Sequence, residues 1–144
     1  MLTIVVSGSR DYTNYPQFKS GMEIVISEWQ YKLGLSKLEM ILFHGGAKGT
    51  DLMADRWAKE NGIEIKSFPA DWKDFSNPCI RKFKGDYEYN AMAGVKRNEK
   101  MIKEAIKSEN IVFIAFWKNE SKGTLNAIEL AEKYKIANIV IFKP

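Results

Sequence analysis

The sequence predicts an α/β protein built on a doubly wound parallel sheet of about five strands, order 3-2-1-4-5, with helices on both faces. Three observations carry that expectation. Short apolar runs alternate with amphipathic helical stripes from one end of the chain to the other, as successive βαβ units require. The runs are solidly apolar rather than alternating, which suits strands covered on both faces. Three of them lead into small turns: Val5-Val6-Ser7-Gly8-Ser9-Arg10, Ile41 through His44-Gly45-Gly46-Ala47-Lys48-Gly49-Thr50-Asp51, and Phe116-Trp117 on to Lys122-Gly123-Thr124.

Each element follows from local chemistry. Residues 3–7 form the first strand. Pro16 suits the opening turn of a helix, in which Phe18, Met22, Val25, Ile26, Trp29 and Leu33 fall on one face and Gly34 is placed to end it. Residues 40–43 give the second strand, 51–61 a second helix with Gly62 as its stop, and 63–68 the third strand. Residues 69–90 read as an irregular insertion that mixes Trp72, Phe75, Phe83, Tyr87 and Tyr89 with acids and bases, broken by Pro78 and Gly85. Helical spacing returns at Val95, Ile102, Ala105 and Ile106; residues 111–116 are the fourth strand, 124–135 a helix and 138–142 the closing strand. No repeat, low-complexity tract or linker interrupts the pattern, so residues 1–144 are expected to form a single domain. Right-handed crossovers and a reversal after the third strand give the stated order, and place a ligand crevice where the loops after strands one and four part.

Composition narrows the function classes. Apolar residues make up 45% and charged residues 28% of the chain, an ordinary soluble profile. The apolar stretches fall far short of the roughly 20 residues that span a bilayer, and the N-terminus reads as a strand rather than a signal peptide. Cys79 is the single cysteine, so no intrachain disulfide forms and a reducing, cytoplasmic setting is expected. The net charge of +4 permits nucleic-acid contact without requiring it. There are only four arginines, and two stand at telling places: Arg10 directly after the first turn and Arg97 near the start of a helix.

A strand that ends in a Gly/Ser/Thr turn and opens a helix aims backbone N–H groups at one point, which suits phosphate. The candidate phosphate contacts are therefore Gly8, Ser9 and Arg10 from the first turn, Gly45, Gly46, Gly49, Thr50 and Asp51 from the second, and Gly123 and Thr124 from the third. Arg97 and Asn98 would add polar contacts from a facing helix, unless Asn98 caps a neighbouring backbone group and Arg97 is solvated. The second turn is not a Walker loop, because Lys48 precedes the last glycine; as a plain βα turn it would use Thr50 as N-cap. His44, the sole histidine, fits a hydrogen bond within its turn better than catalysis, and with one cysteine no zinc set is available. The G-x-S-x-G nucleophile motif is absent. Trp72 or Trp117 would stack a base, if not part of the core.

The motifs Gly8-Ser9-Arg10-Asp11-Tyr12, His44 to Asp51 with Ala54-Asp55-Arg56-Trp57-Ala58, Pro69-Ala70-Asp71-Trp72, and Ala93-Gly94-Val95-Lys96-Arg97-Asn98-Glu99-Lys100-Met101 together resemble the YspA/cpYpsA-related SLOG family. The resemblance implies a Rossmann-like fold related to DprA and the LONELY GUY phosphoribohydrolases. It also implies a pocket for a nucleotide or a ligand derived from NAD or ADP-ribose, with no further cofactor. Many relatives are bacterial or phage proteins, and a homodimer is plausible from them. Two departures stand out: only Gly123 remains of the paired glycine before the last Gly-Thr, and Gly123-Thr124-Leu125-Asn126-Ala127 lacks the paired glutamates of LONELY GUY enzymes. The expectation is thus binding or sensing rather than cleavage. Two alternatives stay open. One is an N-glycosidic or phosphoribosyl hydrolase or transferase using Asp51, Asp71, Glu99 or Glu129 as acid–base. The other is DprA-like binding of single-stranded DNA, for which the aromatic and basic insertion would supply base stacking instead of a lid or dimer contact.

Overall fold

A computed structural model describes residues 1–144. In chain order its elements are β1 (Leu2–Gly8), α1 (Tyr15–Leu33), β2 (Met40–His44), α2 (Thr50–Glu60), β3 (Glu64–Ser67), β4 (Arg81–Lys84), β5 (Tyr87–Asn90), α3 (Ala93–Ala105), β6 (Asn110–Phe116), α4 (Lys122–Lys133) and β7 (Ile139–Phe142). The main sheet runs β3-β2-β1-β6-β7 and all of its pairings are parallel. Counted within that sheet, this is the order 3-2-1-4-5 expected from the sequence.

The solid apolar runs are explained by two cores, one on each face of the sheet. Leu2, Ile4 and Val6 of β1 point to one face and pack with Phe18, Met22, Met53 and Trp57 of α1 and α2. Val5, Phe43, Phe113 and Ala115 point to the other and meet Met101, Ile102, Ala127 and Ile128 of α3 and α4. β1 lies at the centre and loses water on both sides, so its only polar side chains are Thr3, whose hydroxyl pairs with Ser108 at 2.5 Å, and Ser7 at its cleft end.

Helix ends follow the sequence at α1, where Asn14 accepts from the Gln17 amide and Gly34 turns left-handed at φ 63. They differ at α2. Thr50 is its first helical residue and Gly49 occupies the cap position, with φ 68 and ψ −119. That conformation is open to glycine but hostile to L side chains. A Cβ there would also collide with the Arg10 carbonyl, because the loop after β1 passes directly over the turn.

The insertion is more ordered than the sequence announces. Arg81-Lys82-Phe83-Lys84 and Tyr87-Glu88-Tyr89-Asn90 pair as an antiparallel hairpin, with Gly85 at φ 60 in its tight turn. Its signal is masked because cations occupy both faces of β4, so no apolar alternation appears. Fully buried Asn90 pins the base of the hairpin: its side chain donates to the carbonyls of Asp74 (2.9 Å) and Pro78 (3.2 Å) and accepts the amides of Ile80 and Met92.

Gly49→Ala is expected to destabilise the fold by at least about 2 kcal/mol, because strain at positive φ and steric conflict add. Urea unfolding would show it as a lowered midpoint with an unchanged slope.

Candidate functional site

A cleft of about 550 Å³ opens at the carboxyl ends of β1 and β6, the two strands between which the winding of the sheet reverses. Its shape depends on Ser9. The Ser9 amide extends the sheet ladder to the Phe116 carbonyl at 3.0 Å. Its hydroxyl donates to the Lys118 carbonyl at 2.7 Å and accepts the Lys118 amide at 2.9 Å. Its carbonyl accepts the Thr50 hydroxyl at 3.0 Å and the Thr50 amide at 3.3 Å. Three loops are thereby stitched into one floor.

This seam revises the expected set of phosphate contacts. Ser9 and Thr50 are buried and bonded to each other, and Gly8 packs so tightly on the Thr50 side chain that no Cβ would fit. The Thr50 amide, expected to help hold phosphate, is thus spent on a carbonyl. Ser9, Gly49 and Thr50 stay out of the cleft wall, and Gly46 lies in an adjoining recess beside Pro69. Gly8, Arg10, Gly45, Asp51, Arg97, Asn98, Gly123 and Thr124 do line the cleft together.

The second turn is held from inside. The Gly46 amide donates to Nδ1 of His44 at 3.0 Å, which makes Nδ1 an acceptor and assigns the ring proton to Nε2, 2.9 Å from Asp55. His44 is therefore a neutral, buried brace for the turn. Oδ2 of Asp51 accepts the Ala47 amide at 3.1 Å. Burial pushes the Asp51 carboxyl above its ordinary range, and the opposing pull of the Ala47 amide and the Arg97 charge does not cancel that.

Arg97 is partly buried rather than solvated. Its Nη1 donates to the carbonyls of Gly45 and Phe68 and its Nε to Oδ1 of Asn98 at 2.8 Å. Desolvation lowers its pKa, with Asp51 opposing and Arg10 reinforcing the shift; a guanidinium keeps its charge regardless. Asn98 passes the connection on, donating to Oδ1 of Asn126 at 3.0 Å and to the Gly123 carbonyl at 3.3 Å. It fixes the first turn of α4 against α3.

The donors that remain open sit on the other side of the cleft. Met92 gives α3 no side-chain cap, and a Cβ at Gly94 would meet, beyond its own helix, only the Trp72 ring, at 3.7 Å. In α4 the Ser121 hydroxyl caps the Thr124 amide at 3.4 Å, and beyond its chain neighbours and own helix backbone nothing lies within 4 Å of where a Gly123 Cβ would sit. Helix geometry leaves the first amides of both helices without partners along their own helices. Three cations join them on the cleft wall: Arg10 of the β1 turn, which lies 5.6 Å from the Trp72 ring centroid, Lys118, which reaches the Asp11 carbonyl at 3.4 Å, and Lys122. Asp11 is engaged by the Asn119 amide group at 2.8 Å.

Lys118, Asn119, Lys122 and Asn126 also line the cleft and were not singled out as site residues from sequence. Their only signal is position, next to a Gly-Thr turn. Of the carboxylates weighed as acid–base groups, Asp51 alone lines the cleft; Asp71 accepts the Lys73 amide and Glu99 pairs with Lys103. Of the two tryptophans expected to stack a base, Trp72 forms part of the wall, whereas Trp117 donates its ring N–H to the Ser121 carbonyl at 3.0 Å.

Asp51 carries a pH signature. A folded-state pKa above the ordinary 3.8 means that the folded chain holds this proton more tightly than the unfolded chain does. Its contribution to stability is complete below that value and is lost as pH rises through the raised one. Relative to the parent, Asp51→Asn is expected to gain stability as pH rises upward from about 4. Urea unfolding of both proteins across that range would show a constant difference if burial did not raise the carboxyl.

The solved structure of the structural-genomics target TM1055 aligns with 93% of this chain and 70% of that one, at TM-score 0.54 and 14% identity. It supports the fold alone. No curated protein matches the sequence significantly. The sequence profile of the YspA, cpYpsA-related SLOG family matches residues 2–75, from β1 through the Asp-Trp motif into the insertion. With half of its length covered in this way, the chain belongs to the YspA, cpYpsA-related SLOG family.

Proposed function

We propose that the cleft binds a nucleotide, in the manner of a sensor or carrier, and that its phosphate faces the starts of α3 and α4 and the Arg10 side chain rather than the backbone amides of the β1 and β2 turns. One observation carries the reading: two helix N-termini with open first-turn amides and three cations, Arg10, Lys118 and Lys122, line a single cleft with an aromatic wall at Trp72. Helix termini favour anions, and a partly desolvated cleft strengthens that preference. Trp72 offers a face for the base. The volume falls within the range typical of small-ligand pockets and leaves room for a dinucleotide such as an NAD or ADP-ribose derivative.

A second reading has one observation in its favour. Asp51 is a desolvated carboxyl on the cleft wall with its pKa displaced upward, the condition for proton transfer at moderate pH. It would serve hydrolysis or transfer at an N-glycosidic bond. Incubation with AMP or ADP-ribose would then release base or ribose phosphate from the parent and not from Asp51→Asn. Absence of product from the parent would remove this reading and leave the binder.

AMP or ADP-ribose at 100 times its dissociation constant is expected to stabilise the protein by about 2.7 kcal/mol in a thermal-shift experiment. The double variant Arg10→Ala/Lys122→Ala, whose side chains are both exposed, should melt like the parent without ligand. Its affinity should fall at least about tenfold, since charge-assisted contacts to phosphate are each worth upward of 1 kcal/mol. Equal ligand shifts in parent and variant would sink the assignment.

A further inference from the structure

The hairpin carries a feature that a mononucleotide in the cleft does not use. Trp72 of the cleft wall meets Tyr89 edge-on at 6.1 Å, and Tyr89 stacks with Tyr87 at 6.2 Å and 21°. The three rings form a row that leaves the cleft and runs out along β5. The spacing is that of the strand, since Tyr87 and Tyr89 are two residues apart and share one face. Their cross-strand partners are Lys84 and Lys82, both exposed, so the same face carries a parallel row of cations. Lys73 adds a third, 4.1 Å from the Tyr87 ring centroid, and Arg10 stands over Trp72 at the cleft end.

The acids of the hairpin are elsewhere. Asp86 is in the turn, and Glu88 lies on the opposite face, where Arg81 pairs with it at 2.9 Å. Tyr87 nevertheless remains 48% exposed, an unusual amount for a ring held by two neighbours and anchored by a buried asparagine at the hairpin base. Lys73 is engaged at the Glu88 carbonyl (2.7 Å), but the exposed Tyr87 ring and Lys82 and Lys84, which form no ion pair, satisfy nothing within this chain. A second copy is a poor occupant, because a twofold contact would set this row of lysines against its own image. Duplex nucleic acid offers phosphates but hides the faces of its bases.

We infer that this face of the hairpin is a binding track for single-stranded nucleic acid, with successive bases stacked on Tyr87 and Tyr89, phosphates along Lys82 and Lys84, and the strand directed toward the cleft at Trp72. It rests on the cleft reading only at that last point. Ring stacking tolerates any base, so the track selects for single strands and not for sequence.

The test uses the whole chain and a fluorescent oligothymidylate, followed by anisotropy, with AMP binding measured in parallel by calorimetry. If Lys82, Lys84 and Arg10 neutralise three phosphates, oligonucleotide affinity falls about twentyfold between roughly 50 and 200 mM salt. Lys82→Ala/Lys84→Ala should bind more weakly and keep only about threefold of that salt dependence. Tyr87→Ala should lose about fivefold or more, whereas Phe83→Ala, on the opposite face, should bind like the parent. All three variants should bind AMP as the parent does. An oligonucleotide that does not bind, or that binds equally to the parent, the lysine pair variant and Tyr87→Ala, overturns the track. Loss of AMP binding alone, with the oligonucleotide still held, would overturn the cleft and leave the track standing.

Discussion

The bonds around Ser9 organise everything at the carboxyl edge of the sheet. A single residue continues the β1–β6 ladder, joins the loop after β6 through its hydroxyl and receives the first turn of α2 at its carbonyl. Because these groups are buried, each unmade bond would carry the full cost of desolvation. The tight contacts of Gly8 and Gly49 follow from the same demand, since side chains at either position would hold the loops apart. The cleft is the space that remains once this floor is closed.

The floor also divides the polar groups into two kinds. Those from the β1 and β2 turns are mostly consumed in making it: His44 braces Gly46, Asp51 holds Ala47, and Arg97 clasps the Gly45 and Phe68 carbonyls. Those at the starts of α3 and α4 are left open. Electrostatics agree with the division. Asp51 and Arg97 both have pKa values displaced mainly by burial, the mark of groups held inside a structure, while Arg10 and Lys122 extend into solvent at the rim. An anion entering the cleft would meet the second set first.

The insertion is tied to that rim and not to the core. Asn90 bonds fasten it to the segment carrying Trp72, and the Asn90 amide donates to the Trp72 carbonyl at 2.8 Å. Lys96 of α3 reaches Asp74 at 2.8 Å and pulls that carboxyl below its usual range. The hairpin is therefore joined to the cleft wall, and aromatic groups outside the cleft continue in line with the one inside it.

The sequence by itself determined the fold. Solid apolar runs at strand length, helical stripes between them and glycines at the stops are local properties, and the order of the sheet follows from handedness once they are placed. It also marked the neighbourhood of the site, since Gly8, Arg10, Gly45, Asp51, Arg97 and Gly123 do converge. Which groups face the cleft and which hold the scaffold was decided only by the tertiary structure. Ser9 and Thr50 look identical in sequence to phosphate-binding turn residues, yet they bond each other across 41 positions of chain. Lys118 and Lys122 look like surface lysines until the loop after β6 folds toward α3. The hairpin was hidden for a related reason: its strands are fixed by the buried side chain of Asn90 and by pairing across a glycine turn, not by burial of an apolar face. Periodicity records what a residue buries, whereas hydrogen-bond partners distant in the chain leave no trace in it.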